Sequence, residues 1–139
     1  MTINAFTKIP DAARAIRRRV FIEEQGFCEE FDDIDLIAVH FVAYDECGTA
    51  IATCRIFPAA DGNGFILGRL AVSRECRKSG VGRAIVTAAE AYVREVGGRV
   101  LSLHAQSRIA GFYARLGYTA YGVEDEDQGV PHIHMKKML

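Results

Sequence analysis

The segment Arg77-Lys78-Ser79-Gly80-Val81-Gly82-Arg83 carries the residue types that could hold a phosphate. It lies between a strand-like run and a strongly amphipathic helical stretch, and a helix N-terminus offers free N–H groups and a partial positive charge to an anion. Glycines at 80 and 82 would let a phosphate approach the backbone without a Cβ in the way. The surrounding charge agrees: residues 69–83 contain Arg69, Arg74, Arg77, Lys78 and Arg83 against one acid, Glu75. The competing reading is a helix start with packing glycines and solvated arginines. Two familiar phosphate motifs do not apply. GxxxxGK[ST] is absent, and GxGxxG fails because Ile85 stands where its third small residue belongs. The next strand-like run, 100–104, also ends without the ribose-binding acid of dinucleotide sites.

Groups able to move protons lie elsewhere. Glu23, Glu24, Glu29, Glu30, Asp32, Asp33 and Asp35 form one acidic run, and Glu124-Asp125-Glu126-Asp127 another. Such runs are commonly solvated loops. Glu24, Asp32, Asp35, His40, His104 and His132 are the candidates for a general base. His132-Ile133-His134 puts two imidazoles on one face of a strand, which is half of a metal site. No third ligand matches it in the sequence, so no metal is expected. On helical spacing alone Tyr113 is a core aromatic beside Phe112. Arg14, Arg17, Arg18 and Arg19 read as a solvated helix face.

The elements that must position these groups can be read from periodicity. A strand over 2–8 precedes a helix opened by Pro10-Asp11, with Ala12, Ile16 and Val20 as its buried stripe. Runs 37–45, 49–57 and 65–72 are separated by tight turns and form an antiparallel meander. Val81, Ile85, Ala88, Ala89, Tyr92 and Val96 then line one helical face, stopped by Gly97-Gly98. A strand at 100–104, a helix carrying Ile109, Phe112, Tyr113 and Leu116, and two short strands near 118–123 and 132–138 follow. The order β-α-β-β-β-α-β-α-β-β implies an α/β fold, a mixed sheet covered by helices.

Composition sets the outer bounds. The chain has 139 residues, 50% hydrophobic and 25% charged, with a formal net charge of −1. That suits one soluble domain spanning 1–139 and argues against a general nucleic-acid binder. Cys28, Cys47, Cys54 and Cys76 form no CxxC pair and read as reduced thiols. No stretch approaches the ~20 apolar residues of a membrane span, and a cytoplasmic protein is expected.

Taken in order, Arg77-x-x-Gly80-x-Gly82 after Leu70-Ala71-Val72 resembles motif A of the GCN5-related N-acetyltransferases, the GNAT superfamily. The segment Ala110-Gly111-Phe112-Tyr113-Ala114-Arg115-Leu116-Gly117-Tyr118 resembles motif B. Arg18-x-Val20-Phe21-Ile22-x-Glu24-Gln25-Gly26, Glu30-x-Asp32-x-x-Asp35, His40 and Gly129-Val130-Pro131-His132-Ile133 are similar to a small bacterial subgroup. Gln128 and Gln106-Ser107 depart from the acid and the asparagine usual there.

The resemblance implies a GNAT-like acyl-CoA N-acyltransferase fold with acetyl-CoA as co-substrate. Its pyrophosphate would lie on Arg77, Lys78, Ser79, Gly80, Val81, Gly82 and Arg83. Its pantetheine arm would follow a splayed strand at Leu70, Ala71 and Val72, with a further contact at Ser107. Tyr113 becomes the general acid, and Glu24 and His132 line the acceptor side with the acidic runs around them. The implied acceptor is a small-molecule or peptide amine, attacked directly in a ternary complex, with no nucleic acid, no membrane and a possible homodimer. The alternatives are a non-catalytic sensor that holds CoA or a nucleotide, and, more distantly, an acyl-homoserine-lactone synthase.

Overall fold

A computed structural model describes residues 1–27 and 31–139; Cys28, Glu29 and Glu30 lie outside the described residues, and with them parts of the acidic run and of the thiol set. The elements follow the expected order: β1 (Thr2–Phe6), α1 (Asp11–Arg17), β2 (Val39–Tyr44), β3 (Ala50–Pro58), β4 (Phe65–Val72), α2 (Val81–Glu95), β5 (Val100–Gln106), α3 (Ala110–Arg115), β6 (Thr119–Asp127) and β7 (Val130–Met138). Seven strands form one sheet in the order β1-β2-β3-β4-β5-β7-β6. Among the described residues only the β4–β5 pair is parallel.

Helices cover both faces of the first half of the sheet. Ile85, Val86, Ala89 and Val93 of α2 pack on Phe41, Ala52, Cys54, Ile56 and Leu67, the inward residues of β2–β4. Val96, expected on this stripe, lies beyond the helix end and is half exposed. On the opposite face, Ile16 and Val20 pack on Ala71. The first helix does not run evenly to residue 25. It passes from α1 into a π-helical turn over Arg18–Glu24. Ala13, rather than Ala12, is its fully buried alanine.

Arg17 corrects the solvated-face reading, being 1% exposed. Its guanidinium is bidentate to Asp35 at 2.8 and 3.0 Å. Arg55 of β3 reaches Asp35 at 2.8 Å and Asp32 at 2.6 Å. His40 of β2 adds a hydrogen bond from Nε2 to the Asp35 carbonyl at 3.0 Å. Burial opposes ionisation of Asp35, yet the bonds from Arg17 and Arg55 outweigh it and hold the carboxyl well below the usual range. This buried ionic knot ties the loop after the first helix to the sheet. It removes Asp35 and His40 from the candidates for a base, because both are spent on structure.

The closing hairpin differs from the two short strands expected. β6 and β7 are nine residues each, joined by a two-residue turn in which Gln128 (φ 51°) and Gly129 (φ 79°) are both left-handed. Type I′ turns require that geometry, and they match the strand twist. The acidic run 124–127 is therefore the end of a strand, not a loop. A register shift between Tyr121 and Asp125 re-aims its side chains.

Candidate active site

The site begins where β4 leaves β5. The two strands pair from Phe65↔Leu101 to Leu67↔Leu103 and then part. A bulge in β4 coincides with the parting: Thr53 faces Ala71 and Arg55 faces Gly68, so Arg69 and Leu70 stand opposite one residue, Cys54. Arg69 takes a left-handed φ of 52° there. An extra residue of this kind leaves backbone groups outside the ladder and bends the strand. The result is a fork whose mouth opens toward the loop before α2.

A cavity of about 240 Å³ fills the fork. Gly68, Arg69 and Leu70 form one wall, His104, Ala105 and Gln106 the other, and Tyr113, His132, Asp127 and Phe31 the ends. Across its mouth, Gln106 Nε2 donates to Gln25 Oε1 at 2.8 Å, linking residues far apart in the chain. Gln106 stands where a family asparagine was expected, and this cross-link is a role the sequence did not announce.

The loop 77–83 is built as an anion cradle. Gly80, the N-cap of α2, has a φ of 90° with open space where a Cβ would point. The Gly80 carbonyl accepts from the Ala84 amide at 3.0 Å, the first bond of the helix. The amides of Val81, Gly82 and Arg83 therefore lack intrahelical acceptors. Lys78 and Arg83 are exposed and make no ion pair among the described residues. The Ser79 hydroxyl donates to the Cys76 carbonyl. An open, glycine-capped, basic helix start suits a diphosphate.

Two residues of the cradle behave otherwise than expected. A Cβ on Gly82 would sit 3.3 Å from the Phe112 ring, so this glycine lets α2 pack against α3. Arg77 is turned back on the protein: Nε donates to the Val72 carbonyl at 3.0 Å, and its other nitrogens reach Glu24 at 2.5 and 2.9 Å.

Glu24 is accordingly placed away from the acceptor side. It is not among the residues lining the cavity, and Arg74 stands 3.7 Å from it as a second cation. The hydrogen bond from Arg77 holds its carboxyl below the ordinary value, which makes it a weaker base. Asp32 does line the cavity, but Arg55 and Arg69 bind it, and the Arg55 hydrogen bond lowers its pKa. Three acids of the run 23–35, Glu24, Asp32 and Asp35, thus face arginines. Asp127 lines the cavity without an ion pair among the described residues.

Tyr113 is buried, 4% exposed, with its ring edge-on to Phe112 and Tyr118 at centroid distances of 5.0 and 5.8 Å. It is both a core residue and part of the cavity wall. Burial pushes its hydroxyl pKa up, so the proton stays on. His132 is also buried, with Nδ1 2.8 Å from the Val130 carbonyl. A carbonyl can only accept, so Nδ1 carries a hydrogen, and Nε2 is the nitrogen that bears the lone pair in the neutral ring. Ser107 begins a 3₁₀ turn over Ser107–Ile109, and its hydroxyl donates to Glu124 at 2.7 Å. Ala71 points its side chain into the α1 side of the core, while Leu70 and Val72 are half-buried beside α2.

The family model for the acetyltransferase (GNAT) domain matches residues 19–139. The uncharacterized N-acetyltransferase YjcF of Bacillus subtilis (strain 168) is 32% identical over 125 residues, covering 88% of this chain and 87% of its own length. A crystal structure from Lactobacillus plantarum superposes with a TM-score of 0.91 at 30% identity, covering 99% of this chain and 97% of that one. An aminoglycoside 6′-N-acetyltransferase crystallised with coenzyme A shares the fold, with a TM-score of 0.77 at 19% identity, 99% of this chain and 97% of that one. Among the described residues no helix is long and apolar enough to cross a membrane. With the forked sheet, the glycine-capped cradle and a family model matching most of its length, the chain belongs to the GNAT acetyltransferase family.

Proposed function

We propose that this chain is a single-domain N-acetyltransferase that moves an acetyl group from acetyl-CoA to a primary amine by direct attack in a ternary complex. The observation that carries it is the fork: beside the anion cradle, one cavity joins the unladdered backbone of β4 to Tyr113 and His132. Lys78, Ser79, Gly80, Val81, Gly82 and Arg83 would hold the diphosphate, while Arg77 braces the loop from behind. Acetyl-CoA, when bound, supplies an activated thioester.

The backbone of Gly68, Arg69 and Leu70 would meet the acyl carbonyl, since the bulge frees polar groups there. His132 Nε2 takes the proton of the attacking amine, with Nδ1–H anchored on Val130 fixing ring and tautomer. Glu24 has no part in this step. Tyr113, kept protonated by burial, donates to the departing sulfur. Asp127, on the cavity wall, favours an acceptor that arrives as a cation. No cysteine is called on as a nucleophile: Cys54 is buried, and burial pushes its thiol pKa up.

The test is thiol release from acetyl-CoA across a panel of polyamines, amino sugars and peptides. Amine-dependent release with intersecting initial-rate lines is expected. Parallel lines would indicate an acetyl-enzyme instead. A thermal shift with acetyl-CoA and no transfer to any amine would establish the sensor reading.

A further inference from the structure

The sequence offered His132-Ile133-His134 as half of a metal site and no partner for it. The fold supplies one, around His134 rather than His132. His134 of β7 stands directly opposite His104 of β5, and the two rings stack with centroids 4.3 Å apart. Asp125 comes from β6, on the far side of β7. Its carboxylate reaches over β7 and lies 2.6 Å from His104 Nε2 through one oxygen and 3.9 Å from His134 Nε2 through the other. One potential ligand atom from each of the three residues falls within 4.8 Å of the others.

The geometry points to a binding site for a divalent first-row transition metal ion, held by His104, Asp125 and His134. Two imidazoles and one carboxylate suit Zn²⁺, Co²⁺ or Ni²⁺ and suit Mg²⁺ or Ca²⁺ poorly. An ion about 2.0–2.1 Å from each donor would hold the donors roughly 3 Å apart. The present spacing needs a contraction on the His134 side and a slight widening at His104, within the reach of χ rotations on an exposed face. Three protein ligands leave at least one position open to water or an added molecule. The Asp125 register shift makes the site possible. Unbroken pairing from Tyr121↔His134 would set Asp125 opposite Val130, whereas the shift sets it opposite His132, beside the imidazoles.

His104 also lines the cavity of the fork, with its ring 4.8 Å from that of His132, but metal binding can be measured without acetyl transfer. Tag-free chain, treated with chelator, is titrated with Co²⁺ and followed by its visible d–d bands. One saturable site per chain is expected, displaced by equimolar Zn²⁺. Asp125→Asn and His134→Ala should each weaken Co²⁺ binding by at least about tenfold. Asp125→Asn is nearly isosteric and decides the matter if His134→Ala melts early in chelator. Absence of saturable binding would overturn the proposal. So would wild-type affinity in Asp125→Asn, or a thiolate charge-transfer band assigning the ion to cysteine.

Discussion

The two sides of the fork are built in opposite ways. The cradle is nearly continuous in sequence: seven residues and the first turn of one helix make its surface. The acceptor side is assembled from Phe31 and Asp32, from the β4 bulge, from the end of β5, from Tyr113 and from the β6–β7 hairpin. A local site depends on backbone conformation that neighbouring residues dictate. A composite site depends on which distant side chains already have partners, and that decides what charge it presents. Thus the cradle keeps two cations without an ion pair among the described residues, whereas of the two described carboxylates that line the cavity Asp32 is held by Arg55 and Arg69 and only Asp127 makes no ion pair.

The largest effect is expected at Tyr113, in the cavity wall. Tyr113→Phe keeps the ring and its packing and removes one hydroxyl. Its kcat should fall about 10²–10⁴-fold, the range for one general acid, with the acetyl-CoA thermal shift retained. An unchanged kcat would return Tyr113 to the core alone.

Next comes the ionic knot behind the acceptor side. Asp35→Asn leaves Arg17 and Arg55 without their shared carboxylate, and removing one partner of a buried pair costs about 3–5 kcal/mol. Chemical denaturation should register a loss of that size. The pH dependence has a fixed sign. The folded carboxyl sits below its ordinary value, so its contribution is whole above about pH 4 and is lost as pH falls toward the folded value. Asp35→Asn should flatten the acid limb of the stability curve. An equally steep limb would place the acid sensitivity elsewhere.

The cradle calls for a smaller effect. Arg83→Gln should weaken acetyl-CoA binding about tenfold, near 1.5 kcal/mol for one charge-assisted hydrogen bond, with the acceptor KM unchanged. Gly82 is a poor probe, because any side chain there meets Phe112 before it meets a ligand. An acceptor KM that rises with the acetyl-CoA Kd in Arg83→Gln would mean the two sides are coupled.

The smallest effect is expected at Glu24. Glu24→Gln removes a half-exposed ion pair, worth about 0.2–1 kcal/mol. It should perturb acetyl-CoA binding slightly, through Arg77, and leave the acceptor KM and pH profile alone. A shifted profile would return Glu24 to the acceptor site.

How much of this the sequence made legible follows the same division. β4 and the start of α2 were readable to the residue, since periodicity and glycine punctuation are local signals. The order of all ten elements was readable too. Arg17 was not, because four clustered arginines look alike until one of them finds Asp35 in the loop that follows the helix. The pairing of Glu24 was hidden for a related reason: its partner Arg77 is 53 positions away. The hairpin was read too short because a run of acids looks like a loop, and only its pairing with β7 shows a strand. The signal that could have helped was the Gln128-Gly129 turn.

The closed end of the fork carries a consequence for how such a chain can change. A Cβ on Gly98 would fall against Val93 and Phe65, and a Cβ on Gly64 against the Val100 backbone. Gly64 also has a φ of 86°. Substitution at either would wedge the base of the fork and spread its arms. Phe31, Asp127 and Gln128, at the mouth, touch the cavity from a loop and a hairpin tip and support no core. Under the proposed function, acceptor preference is free to drift by substitution at the mouth while the base stays fixed, and a library built to retarget this chain belongs at the mouth.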